Sequence, residues 1–280
     1  MFTRNKLYII LGAVDAVTAY QCSKAGADYI WVSSFVISAM IGSQDKGMVN
    51  LKYILPLIKS VINGSTCPVI LDFDIGGRNL LEYRSQLNFL KSLSLGGICI
   101  EDEKWPKVNA MLKSPIRRLI SPEKMALKIT IAKKILDPKW LVIARTHSLI
   151  KKETLIKLQH RINLYQNAGA DVICIHYTGR SLDFYQKILR KLSIQKPLLL
   201  ITSTFIPSLK LFKNFNIKYI VFPHQIYKMM LYPVFSFTNR KKSLENFFKN
   251  FKNRRKLINT KKIFKIQNEI NKNSINIRYP

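Results

Sequence analysis

Four short stretches each end an apolar, β-favouring run in charged or polar groups: Leu71-Asp72-Phe73-Asp74, Glu101-Asp102 with the following Lys107-Val108-Asn109, Ala144-Arg145 and Ile175-His176. A carboxylate beside a core strand must replace its lost hydration with a cation or hydrogen-bond donors, so Asp72, Asp74 and Glu101 together point to a divalent metal. Magnesium keeps several of its waters and needs only one or two direct carboxylates; Asp72 is the expected direct ligand, with Asp74 and Glu101 acting through water. The Asp-x-Asp pair alone is a weak signal, because such pairs also cap helices. The second carboxylate cluster gives it weight. Lys107, Arg145 and His176 supply the opposite charge and suit an anionic substrate, Arg145 as a planar fork for a phosphate or phosphonate and His176 as a second donor. The bland alternatives are an internal salt bridge for Arg145 and a hydrogen-bonded core histidine for His176.

Such groups need elements to hold them. Apolar β-rich runs recur at 8–11, 29–32, 69–72, 97–100, 141–145, 172–176, 198–201 and 219–222, separated by helical spacing at 51–62, 80–93, 124–135, 155–168 and 182–192. Strand alternating with helix in this way is the pattern of an α/β fold, a (β/α)8 TIM-type barrel, whose chemistry sits at the C-terminal ends of its strands. The candidates obey that rule, and Trp31-Val32-Ser33-Ser34-Phe35 closes the second run in the same manner. Ala25-Gly26-Ala27-Asp28 and Ala168-Gly169-Ala170-Asp171 repeat one turn signal, with glycine placed for a left-handed helix end. Beyond Phe222 come Lys-rich helical segments at 244–251 and 260–273. Their apolar face (Leu257, Ile258, Ile263, Phe264, Ile266, Ile270) must be covered by something. The expected division is therefore a catalytic barrel over 1–239 and C-terminal helices over 240–280 that pack on the barrel or on a neighbouring subunit of a homo-oligomer.

Composition narrows the classes. With 280 residues, 48% of them hydrophobic, the chain can bury a large core. A net charge of +30 would ordinarily suggest nucleic acid. Here the lysines are spread over nearly every expected helix in a chain rich in Ile, Asn and Lys, so compositional drift is the expectation, with Lys252 to Lys256, Lys261 and Lys262 the densest stretch. The four cysteines, Cys22, Cys67, Cys99 and Cys174, form no CxxC pair and read as reduced thiols of a cytoplasmic protein. No run approaches the roughly 20 apolar residues of a membrane span. The apolar start is interrupted by Asp15 and reads as the first strand.

Taken together, these motifs resemble the phosphoenolpyruvate mutase branch of the phosphoenolpyruvate mutase and isocitrate lyase superfamily. The specific pieces are Trp31-Val32-Ser33-Ser34, Gly42 with Asp45, Leu71-Asp72-Phe73-Asp74, and Glu101-Asp102-Glu103-Lys104-Trp105-Pro106-Lys107-Val108-Asn109. The resemblance implies interconversion of phosphoenolpyruvate and phosphonopyruvate with Mg2+ held by Asp72, Asp74 and Glu101. It further implies Asp45 beside the reaction centre, Lys107 and Asn109 on a gating loop, and Arg145 and His176 on the phosphoryl group. Trp31, Ser33 and the amides of Ser34 and Phe35 would hold the pyruvyl part, and a tetramer with an exchanged terminal helix is implied as well. Carbon–carbon lyases of the superfamily carry a cysteine motif in that loop, where this chain has Lys107-Val108-Asn109-Ala110; the related phosphonopyruvate hydrolases tend to lack the Asn. Departures are Gly76-Gly77-Arg78-Asn79 for a Gly-Tyr-Gly-Asn turn, which removes an aromatic and adds a cation near the metal, Ser34 for a glycine, Ala110 for a serine and His147 for a supporting acid. Loss of that acid is expected to loosen Arg145 or the metal waters. The rival readings are a hydrolase or lyase of the same superfamily and a decayed barrel that only binds anions.

Overall fold

The structure, a computed structural model, describes residues 6–47, 51–112, 114, 116–179, 181–202, 215–238 and 260–274. Eight parallel strands close a barrel in chain order: β1 (Tyr8–Gly12), β2 (Tyr29–Val32), β3 (Val69–Asp74), β4 (Gly97–Glu101), β5 (Leu141–Thr146), β6 (Val172–Ile175), β7 (Leu198–Ile201) and β8 (Ile217–Phe222). This is the expected (β/α)8 frame. The described helices are α1 (Ala16–Lys24), α2 (Ser34–Met40), α3 (Leu51–Gly64), α4 (Leu80–Leu90), α5 (Pro122–Ile135), α6 (Ser148–Lys151), α7 (Leu155–Asn167), α8 (Leu182–Leu189), α9 (Gln225–Thr238) and α10 (Thr260–Ser274). None of them is long and apolar enough to cross a membrane. β8 pairs back onto β1 through Tyr8↔Tyr219 and Ile9↔Ile220, so the sheet has no open edge.

Side-chain alternation along the strands places the chemistry. Ile10, Trp31, Ile70, Cys99, Ile143, Cys174, Leu199 and Val221 belong to one buried cluster that fills the barrel. Their neighbours Leu71, Ile98, Val142 and Ile173 point outward into the larger core shared with the helices. Because a strand repeats every two residues, the residue two beyond each interior side chain emerges at the mouth. Ser33 stands two beyond Trp31, Asp72 two beyond Ile70, Glu101 two beyond Cys99, Arg145 two beyond Ile143 and His176 two beyond Cys174. β3 runs further than expected, to Asp74, and its register with β4 shifts between Asp72 and Asp74. Asp74 itself has φ 51°, a conformation Asp tolerates better than most residues, and the bulge re-aims its carboxylate.

The opposite rim serves stability. Gly26 (φ 93°) and Gly169 (φ 96°) take up the left-handed conformation anticipated for the repeated turn. The aspartate that follows each one accepts from a strand amide, Asp28 from Ile9 N at 2.9 Å and Asp171 from Val142 N at 2.8 Å. Asp15 is the N-cap of α1, in a reciprocal box with Thr18. On α10, Ile266 and Ile270 pack against Tyr20 with Ala16 and Val17 of α1, and the Tyr20 hydroxyl donates to Glu269. The 239/240 boundary, the expected helix at 244–251, and Leu257 and Ile258 lie outside the described residues.

Lys128 of α5 is buried, donates to the Ile75 carbonyl just beyond β3, and lies 4.9 Å from the centre of the Tyr83 ring. Burial pushes its ammonium down to about 8, against a partly offsetting pull from Glu101 and Asp102. Below that pH the lysine is charged in both the folded and the unfolded chain, and its desolvation cost is fully present. Between about 8 and its ordinary 10.5 only the unfolded chain binds the proton, so stability should rise with pH across that window. Urea unfolding of wild type and Lys128→Met should therefore diverge in favour of wild type by about 3 kcal/mol over that range, the general effect of net charge cancelling in the difference. A pH-independent difference would show that Lys128 titrates normally.

Candidate active site

The structure gathers the expected residues at one mouth. Trp31, Ser33, Ser34, Phe35, Asp45, Asp72, Glu101, Lys107, Asn109, Arg145 and His176 line a cavity of about 900 Å³. Asp74 lines an adjoining one of about 250 Å³ that shares Ser34 and Asp72. Arg145 lies among the three carboxylates expected to hold metal: its Nη2 is 3.0 Å from Asp72, 3.4 Å from Asp74 and in contact with Glu101. Lys107 reaches from the loop after β4 to Asp74 at 2.6 Å and Asp45 at 2.8 Å. The internal salt bridge that was the alternative for Arg145 is thus real, and it lies within the cluster.

Electrostatics follow from burial. Desolvation pushes Asp72 up, against the pull of Arg145, and Asp74 up to about 8. Burial acts the same way on Glu101, but Arg145 outweighs it and holds that carboxyl below its ordinary range. Burial alone would lower Lys107 and Arg145; the surrounding carboxylates reverse the sign and hold both firmly protonated. With all four ionised, Asp45, Asp72, Asp74 and Glu101 face only these two cations among the described residues, two positive charges short of neutrality. Among the described residues Glu101 Oε1 is buried without a hydrogen-bond partner, and Asp72 Oδ1 has only its ion-pair contact with Arg145. An all-oxygen donor set with spare lone pairs and a deficit of two charges fits Mg2+. Glu101, Glu103 and His147 also lie close enough to hold an ion. Arg117 pairs with Glu103 and Arg145 with Glu101, so guanidinium groups already serve that second set.

The substrate side carries free donors. Trp31 is buried, and its indole N–H has no hydrogen-bond partner among the described residues. Ser33 caps α2, which leaves the first-turn amides of Ser34 and Phe35 without partners inside the helix. The Ser34 hydroxyl donates to Asp74 at 2.7 Å and reaches Asp72 at 3.3 Å, which gives the serine a role that a glycine could not fill. The Asn109 amide donates to Asp45 at 2.6 Å.

Two histidines meet at the rim, His176 Nδ1 lying 2.9 Å from His147 Nε2 and His147 Nδ1 2.9 Å from Glu103. A carboxylate only accepts, so we assign the His147 proton to Nδ1, its Nε2 as acceptor and the His176 proton to Nδ1. His176 Nε2 then carries a lone pair, and burial beside His147 and Arg145 keeps the ring neutral. It becomes a donor on protonation, which a dianionic phosphoryl group beside it would favour. His147, standing where a supporting acid was expected, lies 2.9 Å from both Glu103 and His176, with Arg117 Nη1 and Glu101 each 3.4 Å away. Arg78, expected to add a cation near the metal, pairs with Glu82 at 3.1 Å and lines the small cavity beside Asp74.

Sequence reading missed Glu103 and Arg117. Arg117 donates to the carbonyls of Val108, Asn109 and Leu112 and pairs with Glu103. The only local signal was the alternation of Glu101 and Glu103 along one stretch. Sequence reading named Asp102 at a strand end but gave it no role; burial raises this carboxyl and Arg161 offsets that, and it accepts from Thr146, Tyr165 and the His147 amide beneath the mouth.

A closed parallel barrel with this rim defines a protein of the phosphoenolpyruvate mutase and isocitrate lyase superfamily. The chain belongs to the phosphoenolpyruvate phosphomutase family, whose profile matches residues 2–238. It is 25% identical to a phosphoenolpyruvate phosphomutase of Tetrahymena pyriformis over 206 residues, 73% of this chain and 69% of that one. It is 24% identical to a phosphonopyruvate hydrolase of Variovorax sp. over 202 residues, 72% of this chain and 70% of that one. A 2-methylisocitrate lyase of Halalkalibacterium halodurans is 30% identical over 164 residues, which span 59% of this chain and 53% of the lyase. The crystal structure of phosphoenolpyruvate phosphomutase from Streptomyces platensis subsp. rosaceus shares the fold with a TM-score of 0.85, at 24% identity over 98% of this chain and 96% of that one. A phosphonopyruvate hydrolase crystallised with oxalate and Mg2+ gives a TM-score of 0.80 at 21% identity, over 98% of this chain and 94% of that one.

If the rim carboxylates hold Mg2+, the ion alone should raise the thermal midpoint without substrate. At a concentration near 100 times Kd the gain should be about 2.7 kcal/mol. Asp72→Asn should abolish that gain while leaving the metal-free protein folded. Equal gains in both proteins would place the ion elsewhere.

Proposed function

We propose that this chain is a Mg2+-dependent phosphoenolpyruvate mutase that interconverts phosphoenolpyruvate and phosphonopyruvate. The observation that carries the reading is the lid, which sets Lys107 and Asn109 on Asp45 over the carboxylate cluster. A lyase route by a lid thiol finds no support, because none of the four cysteines lines the cavity and Cys99 and Cys174 are sealed in the barrel interior.

Bound Mg2+ would supply electrostatic stabilisation of the enolate oxygen and neutralise the surplus carboxylate charge. The Trp31 indole N–H and the amides of Ser34 and Phe35 hold the carboxylate of the pyruvyl unit and keep the enolate still. In the direction of carbon–phosphorus bond formation, the ester O–P bond breaks and the phosphoryl group leaves as a metaphosphate-like species with its charge on three oxygens. Arg145, protonated His176 and the second amide hydrogen of Asn109 stabilise those oxygens, and C3 of the enolate captures phosphorus from the same pocket. Lys107 holds Asp45 and Asp74 in place and completes the seal. Water is the competitor: its capture of the phosphoryl group would give inorganic phosphate and, after C3 takes a proton, pyruvate.

Phosphorus NMR of the protein with phosphonopyruvate and Mg2+ should show phosphoenolpyruvate accumulating. Asn109→Ala should slow that conversion by about 100-fold or more, in line with loss of one preorganised donor. Phosphate and pyruvate as the wild-type products would replace the mutase with a hydrolase, and silence with both substrates would leave an anion-binding barrel.

A further inference from the structure

We propose that Arg117 and Glu103 are positioning residues which latch the Lys107–Leu112 segment closed, and that this latch determines how much of the phosphoryl group is lost to water. The second half of the statement rests on the mutase reading; the first does not.

The geometry is specific. Glu103 and Arg117 stand at the two stems of the lid, which an antiparallel bridge between Glu103 and Leu119 draws together. Lys104 N donates to Arg118 O at 2.8 Å and Ile120 N to Asp102 O at 2.8 Å, so the base of the loop is a short two-stranded clasp. Arg117 is 2% exposed although it lies in a loop. From there Nη1 donates to Val108 O at 2.9 Å, and Nη2 to Asn109 O at 2.9 Å and Leu112 O at 3.3 Å. Glu103, its ion-pair partner, accepts from Val108 N at 2.7 Å. Both polar backbone groups of Val108 are therefore held by the pair, and Val108 is the residue between Lys107 and Asn109.

A lid that covers a site brings backbone carbonyls out of water, and each needs a donor. One guanidinium can serve three carbonyls and a carboxylate at once because its N–H groups are fixed in a plane; an ammonium on a flexible stem cannot. The pair can stay intact at the clasp when the lid lifts, so opening breaks only the backbone contacts. Breaking the pair itself would strand a buried charge. The latch also reaches the phosphoryl pocket, since the Glu103 carboxylate that holds Val108 is bonded to His147, which is bonded to His176. Lid position and histidine orientation thus share one anchor.

The test uses the full chain with Arg117→Lys, which keeps the charge and removes the fork. Hydrogen exchange at the amides of Val108 to Leu112 should accelerate at least ten-fold while the barrel strands remain protected. With phosphonopyruvate and Mg2+, inorganic phosphate as a share of product should rise at least ten-fold over wild type, and kcat should fall more than KM rises. Lys133→Met serves as the control, a lysine paired with Asp171 on the opposite rim that makes no lid contact among the described residues; it should lose thermal stability without changing lid exchange or product share. If Arg117→Lys does not fold, Glu103→Gln should give the same lid exchange. Unchanged protection of Val108 to Leu112 in a folded variant would overturn the latch. Faster lid exchange with an unchanged phosphate share would overturn its role in excluding water. A wild type that produces only phosphate and pyruvate would remove the mutase reading and leave the exchange result to decide the latch.

Discussion

A surplus of buried negative charge governs the mouth of this barrel. Asp45, Asp72, Asp74 and Glu101 share Arg145 and Lys107 as their only direct cations among the described residues. Two like charges about 4 Å apart repel by about 4 kcal/mol at the effective dielectric near a protein surface, so the cluster is costly unless more positive charge enters. Relief cannot come from below, because the barrel beneath is packed with Ile70, Cys99, Ile143 and Cys174. It has to come from above, as a dication between the carboxylates and as Lys107 on the lid. In the proposed activity, metal binding and the seating of Lys107 would be linked by the same deficit.

That constraint explains the division of labour between strand ends and loops. The strand ends supply fixed charges, because a strand tip in a closed barrel moves little. The loop after β4 supplies the Lys107 ammonium and the Asn109 amide, both on the segment bound by Arg117. Asp74 stands between the two regimes. It sits on a bulge at positive φ, is held by Lys107 and by the Ser34 hydroxyl, and burial pushes it up to about 8. The chain has placed its most easily neutralised carboxylate where metal and lid meet.

Much of this was legible in the amino-acid order, and the reason is a period of two. Trp31 to Ser33, Ile70 to Asp72, Cys99 to Glu101, Ile143 to Arg145 and Cys174 to His176 each step from an interior apolar residue to a rim residue on the same face, so polarity after an apolar run marked the mouth. Long-range pairing in loops leaves no such mark. Arg117 and Glu103 are fourteen positions apart and meet because of the Glu103–Leu119 bridge, which no periodicity announces. His147 was read for the acid it replaces rather than for what a histidine can join, and its bonds to Glu103 and His176 became visible only in three dimensions. The bulge that carries β3 on to Asp74 is equally a property of pairing with β4.

The Gly76-Gly77-Arg78 turn shows how a departure can alter space rather than charge. Arg78 pairs with Glu82 at the start of α4 and lines the small cavity beside Asp74. Gly76, at φ 64°, lies where an added Cβ would come within 2.6 Å of the Tyr83 ring, so the turn is pressed against α4. What remains is the cavity of about 250 Å³ that Gly76 and Gly77 line beside Asp74. Room on the far side of the carboxylates is room for water next to a metal, and it raises the demand on the other face. In the proposed mutase reaction, with Ala110 offering no hydroxyl from the loop, retention of a phosphoryl group in transit would fall to Arg145, His176 and Asn109. How well they succeed depends on how firmly Arg117 holds the backbone on either side of Asn109.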